Sequence, residues 1–369
     1  MQQRDMQFLQ HALRIGARNL GRTWPNPSVG CVLVKDGQVV GAAATAETGR
    51  PHAETQALSQ AGTQARGATA YVTLEPCAHV GQTGACAQAL IDAGVSRVVI
   101  ACEDMDPRVA GKSEVMLRNA GVAVEKLLIP AATQQHRGFF RKLQHNMPYV
   151  AMKLATSLDG HMRDHTGMSQ WITSEVARSH GHRLRAQFDA VVTGIGTVLA
   201  DDPRLTVRLP GADHSRLVRV VCDRHLRLPM ESQLVRSAEA QPVYVITTAE
   251  GVENAASHAN DLRERGVTLV VLEDQSLYAQ NILHALAEAG LTRILIEAGP
   301  QLSTAFLSAS CVDRLYWYRA PILLGSGGMA AVGPLEASLS SAKRAKRLQQ
   351  IPLGADTLEV YEMPSCLPA

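Results

Sequence analysis

The sequence predicts two successive α/β domains. Three observations carry that reading. At 369 residues the chain exceeds the roughly 150 residues that one core usually serves. Short apolar runs alternate with amphipathic segments in both halves. A basic stretch at 126–148, with Pro130 and Pro148, interrupts the alternation and places the division at 1–145 and 146–369.

In the first half, Asp5 is placed to cap a helix whose apolar positions are Met6, Leu9, Leu13, Ala17 and Leu20, ended by Pro25-Asn26-Pro27. Residues 29–34 form a strand, and Asp36-Gly37 turns it into a second strand near Val39-Val40. A helix at 54–61 follows Pro51. Then come a strand at 70–74, a helix at 87–92 stopped by Gly94, and a strand at 97–101. A helix at 113–119 closed by Gly121 and a strand at 122–124 complete the half. The second half predicts strands at 149–155, 190–193, 217–222, 242–247, 268–272, 293–296 and 314–318, with helices at 174–185 and 302–307.

Composition excludes several classes. Hydrophobic residues make up 46% and charged residues 19%, enough for two cores filled mainly by aliphatic side chains, since aromatics are only 4%. The formal net charge is +2 with no basic block, which argues against a nucleic-acid partner and leaves room for a small anionic ligand. Seven scattered cysteines do not form a disulfide framework. Arg4, Asp5, His11, Arg14 and Arg18 interrupt the N-terminus, so it does not read as a signal peptide. No apolar run approaches the ~18 residues of a membrane span. The expectation is a soluble cytoplasmic protein.

Chemistry concentrates in three pieces: Pro51-His52-Ala53-Glu54, Glu75-Pro76-Cys77, and Cys86. One imidazole and two thiolates suit zinc, and three protein ligands leave the fourth corner to water, as in a catalytic site. His52 and Cys86 stand where helix patterns begin, and the positive end of a helix favours the thiolate form. Glu54 lies two residues from His52 and need not be a ligand; it can take a proton from water and hand it to a leaving amine. This H-x-E…P-C…C order is that of zinc-dependent deaminases. A closed structural site with His79 as fourth ligand is the alternative, and the presence of Glu54 argues against it.

In the second half no G-x-G-x-x-G follows a strand, so a Rossmann dinucleotide fold is not supported. Gly194-Ile195-Gly196-Thr197 follows a strand pattern, and Gly299-Pro300 joins the 293–296 strand to a helix. Such a turn either offers backbone N–H groups to a phosphate or is an ordinary glycine turn.

Over nearly its whole length the chain resembles the bifunctional deaminase/reductase family of riboflavin biosynthesis. The resemblance rests on Pro25-Asn26-Pro27 with Gly30-Cys31, on Pro51-His52-Ala53-Glu54 and on Thr73-Leu74-Glu75-Pro76-Cys77-Ala78-His79. It continues through Val109-Ala110-Gly111-Lys112, KLATSLDG at 153–160, Ser169-Gln170-Trp171-Ile172-Thr173, VLADDP at 198–203, Leu205-Thr206-Val207-Arg208 and Glu297-Ala298-Gly299-Pro300. It implies a cytidine-deaminase-like α/β/α sandwich followed by a dihydrofolate-reductase-like α/β domain. The implied reactions are zinc-dependent hydrolytic deamination of 2,5-diamino-6-ribosylamino-4(3H)-pyrimidinone 5′-phosphate, then NADPH reduction of its ribosyl group to ribityl.

The resemblance assigns one zinc ion to His52, Cys77 and Cys86, with Glu54 as proton carrier. Asn26 and His79 would bond the pyrimidine and Lys112 its phosphate. In the second domain Ala155, Trp171, Thr197, Asp201 and the turn Gly299, Pro300, Gln301 and Leu302 would contact NADPH. Ser169, Arg185, Leu205, Arg208 and Glu297 would hold substrate, and Lys153 and Asp201 would be the polar groups near the hydride acceptor. A homodimer or homotetramer is implied, with neither nucleic acid nor membrane as partner.

The chain departs from the family at three places. The loop before Cys86 reads Gly81-Gln82-Thr83-Gly84-Ala85 where G-R-T-P-P is common, and the lost prolines make it more flexible. Asp106 replaces an asparagine and adds negative charge. Arg224 follows Asp223 where serine is common, and either meets a cofactor phosphate or faces solvent. Eight residues separate Cys77 from Cys86, against two in nucleic-acid-editing deaminases, which disfavours that rival. A binding module with a degenerate site, and a chain in which only one half works, remain the other readings.

Overall fold

The computed structural model describes residues 2–78, 84–106, 109–211, 216–274 and 276–364. The chain divides into two compact units, Met1–Met147 and Pro148–Ala369.

In the first unit the chain runs through α1 (Gln2–Ala17), β1 (Gly30–Lys35), β2 (Gln38–Ala44), α2 (Ala53–Ala61), β3 (Thr69–Val72), α3 (Cys86–Asp92), β4 (Arg97–Ile100), α4 (Lys112–Asn119), β5 (Ala123–Lys126) and α5 (Pro130–His145). The sheet order is β2-β1-β3-β4-β5; β1 is antiparallel to both neighbours, and β3, β4 and β5 are parallel. The Asp36-Gly37 hairpin forms as the dipeptide predicts, both residues holding positive φ, 52° and 80°.

Two glycines let helices rest directly on the sheet. A Cβ on Gly30 would stand 1.9 Å from the Ala12 carbonyl of α1, and one on Gly41 would stand 2.2 Å from the Ala57 carbonyl of α2. Gly41 pairs with Leu33, three residues from Gly30, so alternation puts the two contacts on opposite faces. Helices therefore cover both sides of the sheet, an α/β/α sandwich.

The segment 126–148, read from sequence as the boundary, is largely the helix α5. Its buried side, including Ala132, His136 and Phe140, is masked in the sequence by intervening His, Arg, Lys and Gln residues. His136 bonds Thr73 Oγ1 at 3.1 Å, just past β3, which counts α5 as part of the first unit rather than a linker.

The second unit holds β6 (Tyr149–Thr156), β7 (His161–Arg163), α6 (Glu175–Arg185), β8 (Ala190–Gly194), α7 (Ile195–Asp201), β9 (Val218–Cys222), α8 (Gln233–Arg236), β10 (Val243–Thr248), α9 (Ala249–Asn254), α10 (Ala256–Glu264), β11 (Val267–Leu272), α11 (Ala279–Glu288), β12 (Arg293–Ile296), α12 (Pro300–Ser308), β13 (Arg314–Arg319), β14 (Met329–Ala330), β15 (Lys346–Leu353) and β16 (Asp356–Glu362). The main sheet is ordered β11-β10-β9-β8-β12-β6-β13-β16-β15. Its first seven strands are parallel, and β16 and β15 add an antiparallel edge.

After β6 the chain steps outward through β8, β9, β10 and β11, then returns to insert β12 between β8 and β6. Open parallel sheets bind ligands outside the carboxyl ends of their strands at such a reversal, which here falls at the ends of β8 and β12. Among the described residues no helix is long and apolar enough to cross a membrane.

The Gly30 contact yields a stability prediction. Gly30→Ala forces α1 off the sheet and costs about 1–3 kcal/mol, the usual range for overpacking. Urea unfolding of the first unit checks it; an unchanged midpoint would mean that α1 does not lie on β1 this way.

Candidate metal centre and cationic cluster

The candidate metal-ligating side chains come from three separate segments around the end of β3. His52 is the N-cap of α2 and Cys86 the first residue of α3. Cys77 sits on the turn after β3, where pairing continues as Glu75 N–H donates to the Cys102 carbonyl at 2.9 Å. Ala87 N–H donates to the Cys77 carbonyl at 3.2 Å, fastening that turn to α3.

The ligand atoms of His52, Cys77 and Cys86 all lie within 4.8 Å of one another. His52 Nδ1 is 3.2 Å from Cys86 Sγ and 3.7 Å from Cys77 Sγ. A tetrahedron with ordinary zinc–nitrogen and zinc–sulfur bonds has N···S edges of about 3.6 Å, so the donor set fits zinc in kind and in spacing.

The three side chains are hydrogen-bonded to one another. A hydrogen bond from the Cys86 thiol, helped by His52 and by the Cys86 backbone N–H at 3.3 Å, holds the Cys77 thiol down to about 4. The same bond, with burial, pushes Cys86 far up, and the bond to Cys77 raises His52.

Glu54, 3% exposed, stands beside all three ligands, and burial pushes it up to about 6 against the opposing pull of His52. A carboxyl near neutrality suits proton transfer in both directions. Asn26 donates Nδ2–H to the Gly49 carbonyl at 3.0 Å, leaving its amide oxygen without a protein partner among the described residues. Lys112 is exposed at the start of α4. His79 lies outside the described residues, as does most of the altered loop before Cys86. Asp106 is buried and its N–H bonds Asp104 Oδ1 at 2.8 Å.

In the second unit Glu297 follows β12 directly, its N–H donating to the Val192 carbonyl at 2.9 Å. Arg185, the last residue of α6, forks onto it at 2.8 and 3.1 Å and also donates to the Thr206 carbonyl. Lys153 of β6 reaches Glu297 Oε2 at 3.6 Å. Burial would raise Glu297, but Arg185 and Lys153 prevail and hold it down to about 2.

Arg208 has no partner for its guanidinium among the described residues; its backbone N–H reaches His182 Nδ1 at 3.4 Å. Burial, with Arg185 and Arg208 close by, pushes His182 down to about 4. Arg185, Arg208 and Lys153 thus gather around the single carboxylate of Glu297, an electrostatic fit for phosphate.

At the ends of β8 and β12, Gly194 and Gly299 are the N-caps of α7 and α12. A Cβ on Gly299 would lie 3.7 Å from Thr197 Oγ1, and one on Gly194 would lie 3.9 Å from Leu302. Thr197, Gly299, Pro300 and Leu302 thus come together, with Gln301 exposed beside them. Asp201 ends α7 and is forked by Arg163 at 2.9 and 3.1 Å, while Lys153 is committed to Glu297.

Trp171 is 65% exposed and lies against Arg178, whose guanidinium is 4.4 Å from its ring centre. Ala155 lies on β6 in register with Tyr318 and on the same face as Lys153, whereas no hydrogen bond or ion pair among the described residues joins Ser169 or Trp171 to these groups. Leu205 is buried with φ 53°. Arg224 meets Glu250 at 3.4 Å.

Sequence reasoning passed over three polar groups at these sites: Glu75, His182 and the buried Tyr318, whose hydroxyl bonds His180 Nδ1 at 2.8 Å. Glu75 was visible within the Glu-Pro-Cys motif, whereas Tyr318 read only as a strand residue.

A sandwich with a His-Cys-Cys centre and buried glutamate, followed by a parallel sheet with a cationic cluster, defines a zinc-dependent deaminase domain joined to a reductase domain. Residues 2–102 match the cytidine and deoxycytidylate deaminase zinc-binding region and residues 148–353 the RibD C-terminal domain. The chain belongs to the RibD family, the bifunctional deaminase/reductases of riboflavin biosynthesis.

It is 42% identical to the riboflavin biosynthesis protein RibD of Escherichia coli, covering 87% of this chain and 89% of that one. For the Aquifex aeolicus protein the identity is 38%, covering 92% and 94%. Among solved structures, Acinetobacter baumannii RibD superposes with a TM-score of 0.88 at 38% identity, covering 98% and 99%. The Thermotoga maritima deaminase/reductase gives 0.86 at 30%, with the same coverage.

The Glu297 cluster sets a pH dependence. Its folded value, about 2, lies below the unfolded value of about 4.3. The stabilisation is therefore complete above about 4.3 and is lost as pH falls toward about 2. Thermal midpoints of wild type and Glu297→Gln should converge over that window. Parallel curves would show that the carboxylate is not held by its two cations.

Proposed function

We propose that the first unit deaminates 2,5-diamino-6-ribosylamino-4(3H)-pyrimidinone 5′-phosphate. The second unit then uses NADPH to reduce the ribosyl group, giving 5-amino-6-(ribitylamino)uracil 5′-phosphate. The observation that carries the reading is Glu54, buried against a converged His52-Cys77-Cys86 donor set.

When bound, zinc supplies Lewis acidity at the corner left by its three protein ligands. Glu54 takes a proton from the attacking water and delivers it to the amine, which leaves as ammonia. Asn26 and His79 orient the ring, and Lys112 receives the phosphate.

In the second unit the turn at Gly299, Pro300, Gln301 and Leu302, with Thr197, receives the diphosphate of NADPH; Ala155, Trp171 and Asp201 complete that contact. Arg208 takes the substrate phosphate, with Arg185, Glu297, Ser169 and Leu205 shaping the pocket. Lys153 and Asp201 are the polar groups assigned to the hydride acceptor, and the reduction balances with one hydride from NADPH and one proton. Cytoplasmic residence and assembly as a dimer or tetramer belong to the same proposal and rest on the family resemblance alone.

Glu54→Gln keeps the side chain's shape and removes its basicity. It should retain zinc, slow ammonia release by about 10²–10⁴-fold and leave reduction of the deaminated intermediate intact. Parallel assays of ammonia release and NADPH oxidation read this. Equal loss of both steps would contradict the assignment of two separate sites.

A further inference from the structure

Glu75 is a buried carboxylate to which the chemistry above gives no part. It is 3% exposed and has no cationic partner among the described residues. Burial without compensation would be costly, so its donors are what keep it in place. Ser113 Oγ donates to Oε1 at 2.7 Å, and Asp104 N–H donates to Oε2 at 3.4 Å.

Each donor belongs to a different segment. Ser113 is fully buried in the first turn of α4, where the positive end of the helix favours a carboxylate, and Asp104 lies in the loop after β4. Glu75's own N–H is bonded to the Cys102 carbonyl at 2.9 Å. Two residues beyond Glu75 is Cys77, with Pro76 restricting the link between them. Immediately before Ser113 is Lys112.

We propose that Glu75 is a positioning residue of the deaminase site, tying the turn that carries Cys77 to the first turn of α4 and so setting the separation between the metal and Lys112. The proposal rests on reading the first unit as a deaminase with Lys112 at the substrate's phosphate. A phosphorylated pyrimidine must place its amino-bearing carbon at the metal while its phosphate is held elsewhere. When the tie slackens, the phosphate anchor no longer meets a molecule already held at the metal, and the loss falls on substrate binding.

The test uses the full-length zinc protein and the variants Glu75→Ala, Glu75→Gln, Ser113→Ala and Lys112→Ala. Zinc affinity is read by competition with a chromophoric chelator, and KM and kcat by ammonia release. NADPH-dependent reduction of the deaminated intermediate and thermal unfolding report that each variant is folded.

Ser113→Ala cuts only the tie to α4. It should raise KM about tenfold, the effect of one lost buried hydrogen bond, while kcat and zinc affinity stay near wild type. Glu75→Ala should also weaken zinc binding by about 10–100-fold, as loss of a residue supporting a ligand does. Glu75→Gln keeps an oxygen for Ser113 and should fall between the alanine variant and wild type.

Wild-type zinc affinity and KM in a folded Glu75→Ala protein would overturn the proposal. So would an equal fall of kcat and zinc affinity in Ser113→Ala. An unchanged KM in Lys112→Ala would instead overturn the phosphate assignment, leaving the tie to be judged by zinc affinity alone.

Discussion

Everything in the first unit depends on bringing one imidazole and two thiols from distant positions to a single point. The sandwich solves this with one strand end and two helix starts. β3 delivers Cys77, α2 begins after His52, and α3 begins at Cys86. Neither helix could shift by a turn without losing a ligand, since one turn is about 5.4 Å and the three donor atoms lie within 4.8 Å. Gly41 lets α2 sit directly on the sheet and thereby fixes His52 from the far side.

The second unit uses the ends of parallel strands in the same way but for charge rather than metal. Glu297 is placed by β12, and Arg185 and Lys153 converge on it from α6 and β6. Leaving a buried carboxylate unpaired is expensive, so the pairings hold the cluster's shape while Arg208 remains available for an anion. His182, kept neutral there, accepts the Arg208 backbone N–H without adding to the repulsion between the two guanidinium groups.

Much of this was legible in the sequence, because the strongest signals are local. The Asp36-Gly37 turn, the helix starts at His52 and Cys86, and most parallel strands follow from residue type and spacing. α5 was not legible, since its basic and amide residues hide the buried side. Nor were the short helices α7, α8 and α9, or the edge strand β15, whose exposed KRLQQIPL run lacks alternation. Among site residues, the metal donors and Glu54 were readable from chemistry alone. The commitment of Asp201 to Arg163 and the anchoring role of Glu75 were not, because both depend on partners 38 residues away.

The most direct measurement of the central claim is zinc X-ray absorption on the purified full-length protein. The account predicts stoichiometric metal with two sulfur neighbours at about 2.3 Å and two nitrogen or oxygen neighbours at about 2.0–2.1 Å, one imidazole and one exchangeable solvent. A third sulfur, a second imidazole closing the fourth corner, or protein that binds no zinc would contradict it.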